Sequence, residues 1–95
     1  MGKVEVGRVI CRVGGELVPG PIVRGSHRAV TIPLRCPPGG QAVGLVHTHP
    51  GERVPKLSKQ DISEGRRLAL DFVCAVSPET KKTRCAVLGR LDSNR

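Results

Sequence analysis

The chain has 95 residues, a formal net charge of +8 at pH 7 and a single aromatic side chain, Phe72. A chain of this length forms one small domain, buries roughly 60–65% of its unfolded surface and must build its core from Val, Leu, Ile and Ala. The positive charge favours acidic partners. The lack of aromatic side chains for base stacking and the scattered basic residues argue against direct binding of nucleic acid.

The composition also bears on cellular location. The apolar runs are too short for a membrane span and no signal peptide is visible, which predicts a soluble, cytoplasmic protein that does not bind membranes. Arg outnumbers Lys and Asn occurs once, at Asn94, and this depletion of thermolabile residues fits a thermophile. The sequence does not indicate an oligomeric state.

Strands dominate the first half of the chain. Apolar and polar residues alternate over residues 3–13, and Gly14-Gly15 then forms a hairpin turn into a second, proline-interrupted strand over residues 16–23. A third strand is predicted over residues 28–36. The fourth, QAVGLVHTH over residues 41–49, is apolar enough to lie centrally in a sheet.

The second half contains the only convincing helix. Ser58 begins the sequence SKQDISEGRRLAL, which predicts a helix over residues 58–70. Residues 72–89 close the chain as a hairpin, and residues 91–95 form a frayed tail. This order of elements predicts one α+β domain over residues 1–90, with a mixed, mostly antiparallel sheet and one main helix packed on it.

Two histidines lie one residue apart at the end of the fourth strand, in the sequence HTHPGERVPKLSKQD. Residues i and i+2 of a strand point the same way, so His47 and His49 would project from one face. Asp61, in the first turn of the helix, would supply a carboxylate. This donor set suits a zinc ion with water at the fourth position, as in catalytic sites. The plainer interpretation is a polar strand end, followed by a helix capping box of Ser58 and Asp61.

The sequence GLVHTHP followed by LSKQD resembles the signature of the JAMM/MPN+ zinc metalloproteases (the Mov34/PAD-1 and prokaryotic JAB type). That signature consists of an upstream Glu, the sequence H-[ST]-H-P, a short loop and the sequence S-x-x-D. The resemblance implies a minimal JAMM/MPN-like fold with one zinc ion per chain bound by His47, His49 and Asp61. It also implies a glutamate as general acid/base and the Ser58 hydroxyl as a donor to the oxyanion. The segment between the second His and the Asp is one residue longer than in the usual pattern.

Two glutamates precede the histidine pair. Glu16 directly follows the hairpin turn, where a charged side chain is most often in solvent. Glu5 lies inside the first predicted strand and is followed closely by Gly7, as the resemblance requires. We therefore favour Glu5 over Glu16 as the catalytic acid/base, with a frayed N-terminal charge as the alternative interpretation of Glu5.

The resemblance implies a zinc-dependent isopeptidase that removes a ubiquitin-like or sulfur-carrier protein from its conjugates. The basic surface would suit an acidic modifier. Two alternatives stay open: a non-catalytic MPN-like binding or scaffold module, and a RadC-like protein, whose pattern is H-N-H-P followed by S-x-x-D. Thr48 in place of Asn and the absence of a Ser after Pro50 argue against the RadC-like alternative.

The four cysteines contain no C-x-x-C pair, which argues against a cysteine zinc knuckle or a thioredoxin-like site. In most cytosols they would be reduced core residues. In the closing hairpin, however, a turn centred midway between Pro78 and Lys81 would place Cys74 directly opposite Cys85, close enough for a disulfide. Intracellular disulfides are normally rare, but hyperthermophiles are an exception.

Overall fold

One six-stranded sheet makes up most of the structure, a computed structural model that describes residues 4–25 and 32–89. The elements in chain order are β1 (Val6–Val13), β2 (Glu16–Pro19), β3 (Val23–Arg24), β4 (Gln41–Thr48), α1 (Lys59–Arg67), β5 (Phe72–Val76) and β6 (Thr83–Val87). The strands lie in the order β2-β1-β4-β5-β6, and β3 also pairs with β1. β4 and β5 are parallel, because α1 lies in the crossover between them, and the other described pairs are antiparallel.

The prediction of an α+β domain with one main helix packed on the sheet, a minimal JAMM/MPN-like fold, is wrong. The described residues are about 40% strand and 11% helix, so the sheet dominates. α1 has nine residues, of which only Gly65 is buried. Its sequence KQDISEGRR contains one large apolar side chain, Ile62, so the helix has little apolar surface to bury and cannot form a layer of its own.

α1 also ends earlier than the predicted helix over residues 58–70. Leu68 caps its C-terminus, and Ala69 turns the backbone with a positive φ of 58°. The N–H of Leu70 donates to the carbonyl of Gly65 (2.9 Å), and Leu70 enters the buried core from this turn. No helix in the described ranges is long and apolar enough to cross a membrane.

Gly65 brings α1 close to the sheet. A Cβ atom at this position would lie 2.6 Å from Leu88 Cδ1 and 2.7 Å from Val73 Cγ1. A glycine inside a helix costs about 1 kcal/mol relative to alanine. Here the missing side chain allows the helix backbone to lie directly against β5 and the residue that follows β6.

The sheet has two faces that differ in what they carry. We call the face with Leu45 and His47 the site face, and the face with Gly44, Val46 and Thr48 the far face. Residues paired directly across strands share a face. One row of the site face is therefore Val9, Leu45, Val73 and Ala86. The buried apolar side chains of the described chain are Val9, Cys11, Val43, Leu70, Val73, Cys74, Ala75 and Leu88.

The second and third predicted strands differ from the structure. The second is divided into β2 and β3 at Gly20, whose N–H donates to the carbonyl of Val9 (2.7 Å). Of the third, residues 28–31 lie outside the described residues, and residues 32–36 form no strand. The predicted tail over residues 91–95 also lies outside the described residues.

The cysteines form two disulfides, Cys11–Cys36 and Cys74–Cys85, and none is free. The register of β5 and β6 places Cys74 opposite Cys85, which is the pairing that the turn predicted. The Cys11–Cys36 bond was not predicted, and it joins β1 to the segment that precedes β4. The expectation of reduced core cysteines is therefore not what the structure contains.

Candidate metal centre

His47 and His49 lie at the end of β4, which runs between β1 and β5. His47 pairs with Gly7 on β1 and with Ala75 on β5. Ala75 has a small side chain, whereas the space that a side chain at Gly7 would fill is taken by the side chain of Ile32. His49 follows the last residue of the strand, and its N–H still donates to the carbonyl of Val76 (2.9 Å), so the sheet geometry continues through it.

The two imidazoles meet a carboxylate from α1. The Nε2 atoms of His47 and His49 are 2.9 Å apart. Asp61 places Oδ1 3.3 Å from His47 Nε2 and Oδ2 3.7 Å from His49 Nε2. The histidine side chains are 13% exposed and the aspartate side chain is 18% exposed. One ligand atom from each residue lies within 4.8 Å of the others, so this group could bind a metal ion.

Asp61 has a second role at the start of α1. Its N–H donates to the Ser58 hydroxyl (3.0 Å), and the Ser58 N–H donates to Asp61 Oδ2 (2.9 Å). This reciprocal pair is a capping box, which holds the first helical turn and fixes the direction of the carboxylate. The carboxylate is thus shared, with Oδ2 bonded to the helix cap and Oδ1 directed at His47.

The loop between the histidines and α1 begins with a tight turn. Gly51 has a positive φ of 88°, a conformation that glycine adopts without strain. The N–H of Glu52 donates to the carbonyl of His49 (3.2 Å) across this turn. Farther along, Pro55 is fully buried and the Thr80 hydroxyl donates to the carbonyl of Arg53 (2.6 Å). These contacts fix the first turn and the middle of the loop, and Asp61 lies next to the imidazoles.

Burial lowers the pKa of His47 below its ordinary value of 6.5. The negative charge of Asp61 acts in the opposite direction, and His49 lowers the pKa further. A lowered pKa keeps the imidazole neutral at physiological pH, and only the neutral imidazole can bind a metal.

The observed distances suit one tetrahedral ion. Ligand atoms at 2.0–2.1 Å from a tetrahedral zinc are about 3.3 Å apart. The separation between His47 Nε2 and Asp61 Oδ1 already has this value, at 3.3 Å. The two Nε2 atoms, at 2.9 Å, would have to move apart by only about 0.4 Å.

The two candidate glutamates, Glu5 and Glu16, lie at opposite ends of β1. Glu5 lies just before β1, two residues from Gly7 and on the same side of the chain as His47. Burial raises the pKa of the Glu5 carboxyl above its ordinary value, the interaction with His49 opposes this, and Asp61 and Glu52 raise the pKa further, so Glu5 lies within electrostatic range of the three candidate ligands.

Glu16 lies at the opposite end of the sheet. It pairs with Val13 at the first hairpin, whereas Gly7 pairs with His47. Gly7 and Val13 are six residue steps apart along β1, a distance of roughly 20 Å. Glu16 cannot reach the imidazoles from there, so of these two glutamates only Glu5 lies at the end of β1 that pairs with His47.

Ser58 lies at the rim of the group. It is exposed, and its hydroxyl accepts the N–H of Asp61. A hydroxyl that accepts one hydrogen bond keeps its own hydrogen for a second partner. Ser58 can therefore cap α1 and still donate to a molecule bound next to the metal position.

Glu52 is a site residue that sequence reasoning missed. Its Oε1 atom lies 3.1 Å from His49 Nδ1, on the side of the ring away from His47. The available signal was its position three residues after His49 across the Pro50-Gly51 turn, which brings the two side chains together. A glutamate in a polar loop is common enough that this spacing alone indicated nothing.

Comparisons of this chain with protein families, with curated proteins and with solved structures find no match. The resemblance to the JAMM/MPN+ signature therefore rests on the quoted motif residues alone, and the structure adds that His47, His49 and Asp61 could bind a metal ion. Of the predicted site residues, the structure brings these three together, places Ser58 at the helix cap beside Asp61 and places Glu5 within electrostatic range.

Proposed function

We propose that the protein is a zinc-dependent metallopeptidase of the isopeptidase type, which removes a ubiquitin-like or sulfur-carrier protein from its conjugates. The observation that carries the proposal is the convergence of His47, His49 and Asp61, with ligand atoms separated by 2.9 to 3.7 Å. Two imidazoles and one carboxylate leave a fourth tetrahedral position for water or substrate, which is the donor set of catalytic zinc sites rather than structural ones.

The zinc ion, when bound there, would polarise the scissile carbonyl and lower the pKa of its water toward about 7. Glu5 would act as the general acid/base, holding a proton on its carboxylate and passing it to the leaving amine. The raised pKa of Glu5 suits a group that must first take up a proton and then release it. The Ser58 hydroxyl donates to the oxygen of the carbonyl under attack, a contribution of about 2.7–4 kcal/mol for one good donor.

The proposed substrate class follows from charge and from the signature. The chain carries a net charge of +8, so encounter with an acidic modifier is favoured over encounter with a basic one. The link that is cut joins the carboxyl end of the modifier to an amine or a thiol. The attack by water consumes one water molecule and returns the free modifier carboxylate.

The test is incubation of the zinc-loaded protein with isopeptide-linked conjugates of small ubiquitin-like modifiers, with and without a chelator. Release of the intact modifier that stops on chelation and returns with added zinc supports the proposal. A protein that binds one zinc per chain but releases nothing contradicts the peptidase activity. A protein that binds no zinc would instead favour a non-catalytic binding module.

A further inference from the structure

One carboxylate oxygen of Glu52 contacts both the imidazole of His49 and the backbone N–H of Lys56. Glu52 Oε1 lies 3.1 Å from His49 Nδ1 and accepts the backbone N–H of Lys56 at 3.0 Å. The Glu52 N–H also donates to the carbonyl of His49, so Glu52 and His49 are joined by a main-chain hydrogen bond as well as by the side-chain contact. The Glu52 side chain is 46% exposed, whereas that of His49 is 13% exposed. The contact therefore fixes a largely buried ring from its solvent side.

A carboxylate can only accept a hydrogen bond, so the contact with Glu52 requires a hydrogen on His49 Nδ1. A neutral imidazole protonated at Nδ1 has its lone pair on Nε2. That atom faces His47 Nε2 at 2.9 Å and Asp61 Oδ2 at 3.7 Å. In the metal-free protein, His47 then supplies the hydrogen between the two Nε2 atoms, and His49 is the imidazole already prepared to bind a metal.

We propose that Glu52 is a positioning residue, which fixes the tautomer and the orientation of His49 so that Nε2 points at the metal position. This inference rests on the proposed function insofar as it assigns a metal to the group. Carboxylates behind metal-binding histidines act in this way in metal sites generally, and their loss typically weakens metal affinity 10–100-fold.

Glu52→Gln separates this role from a purely structural one. Because one oxygen makes both contacts, a glutamine oxygen can accept from both groups and preserve the loop, but as a neutral acceptor it forms a weaker hydrogen bond to His49 Nδ1 than the carboxylate does. Glu64→Gln is the matched control, because it removes the same charge from an exposed residue that pairs with Arg67 on α1.

Two measurements test the proposal. In the metal-free protein, ¹⁵N chemical shifts of His49 should show the Nδ1-protonated tautomer in the wild type and in Glu64→Gln, and a smaller population of it in Glu52→Gln. Zinc titration in competition with a chromogenic chelator should give a dissociation constant about 10–100-fold larger for Glu52→Gln than for the other two proteins.

Equal zinc affinity and an unchanged tautomer in Glu52→Gln would overturn the inference. It is also overturned if the wild type takes up no zinc, an outcome that removes the proposed function as well. A wild type that binds zinc but cleaves no conjugate contradicts the proposed activity alone, and the affinity difference between the two glutamate variants then still decides the role of Glu52.

Discussion

Alternating residues of β4 lie on the two faces of the sheet, and the two sets have different contacts. On the site face, Leu45 packs in the core and His47, followed by His49, meets Asp61. On the far face, Gly44 lies under the ring of Phe72 and the Thr48 hydroxyl accepts the N–H of Val6 (2.9 Å). The site face thus supplies the donor atoms, whereas the far face holds the neighbouring strands in the positions that the donors need.

Thr48, on the far face, helps to position a residue that belongs to the proposed site. Its hydroxyl holds the first residue of β1, and Glu5 is the next residue toward the N-terminus. A side chain that points away from the imidazoles therefore helps to fix the backbone beside Glu5. We therefore expect that changes to the donor residues abolish metal binding with little loss of stability, and that changes at Gly44 or at the Cys74–Cys85 bond do the reverse.

The largest effect is expected from the double substitution His47→Ala with His49→Ala. Two of the three donors are lost, so bound zinc should fall from one equivalent per chain to none, while the sheet remains folded because neither side chain belongs to the buried core. Metal analysis after dialysis measures this, with circular dichroism as the check on folding. His27→Ala, at the third histidine of the chain, is the control. Stoichiometric zinc in the double variant would remove the proposed site.

The next largest effect concerns the acid/base. Glu5→Gln should retain zinc but reduce turnover about 10²–10⁴-fold, the usual loss when a general acid/base is removed. Glu16→Gln, at the other end of β1, should leave both quantities unchanged. Turnover measured on a cleavable modifier conjugate decides between them. The reverse result would assign the role to Glu16 against the observed geometry.

On the far face, removing the Cys74–Cys85 bond should reduce stability and spare the site. Cys74 pairs with Val46 on β4, next to His47, but points away from the imidazoles. Replacing both cysteines by alanine should lower the free energy of unfolding by about 2–3 kcal/mol, with zinc affinity unchanged. Denaturant unfolding measures the loss, and mass spectrometry of unreduced peptides tests the bond itself. Free thiols at both positions in protein purified without reductant would show that the bond does not form.

Gly44→Ala should have a smaller effect of the same kind. A Cβ atom there would overlap the ring of Phe72, and forcing extra volume into a packed position costs about 1–3 kcal/mol. Zinc affinity should not change, because the new methyl group lies on the far face. Combining Gly44→Ala with Phe72→Leu should recover part of the loss, so that the double variant costs less than the sum of the single ones. Strict additivity would mean that the ring is not the source of the cost.

The smallest effect is the pH dependence of the metal-free protein. Because burial holds the pKa of His47 below 6.5, the unfolded chain takes up a proton first as the pH falls. The stability contributed by neutral His47 is therefore complete above pH 6.5 and is lost as the pH falls from there toward the lower pKa of the folded state. Unfolding measured at several pH values should show this slope, and His47→Gln should flatten it. An unchanged slope in that variant would assign the effect to another group.

Local patterns predicted much of this structure. The i, i+2 spacing places both imidazoles on one side of β4, and the turn between β5 and β6 sets the register that opposes Cys74 and Cys85. Both depend on residues close in sequence. The capping residue Ser58 was also visible in the sequence, because an N-cap is read from its immediate neighbours.

The features that were missed depend on tertiary contacts. The Cys11–Cys36 bond joins residues 25 apart, and no local pattern indicates it. The early end of α1 follows from the positive φ of Ala69, which directs Leu70 into the core, a conformation that alanine does not favour by itself. Glu52 was missed because a contact between two side chains across a turn depends on the path of the whole loop.

The metal-binding group is local in sequence, and this has a consequence for folding. His47, His49 and Asp61 all lie on β4, the following loop and the first turn of α1, whereas Glu5 depends on the pairing of β1 with β4, in which the Val6–Thr48 bond spans 42 residues. Closing a loop about three times as long costs about 1 kcal/mol more in chain entropy. The shorter loop is the easier of the two to close, so we expect the three candidate ligands to meet in the unfolded chain more often than Glu5 meets His47.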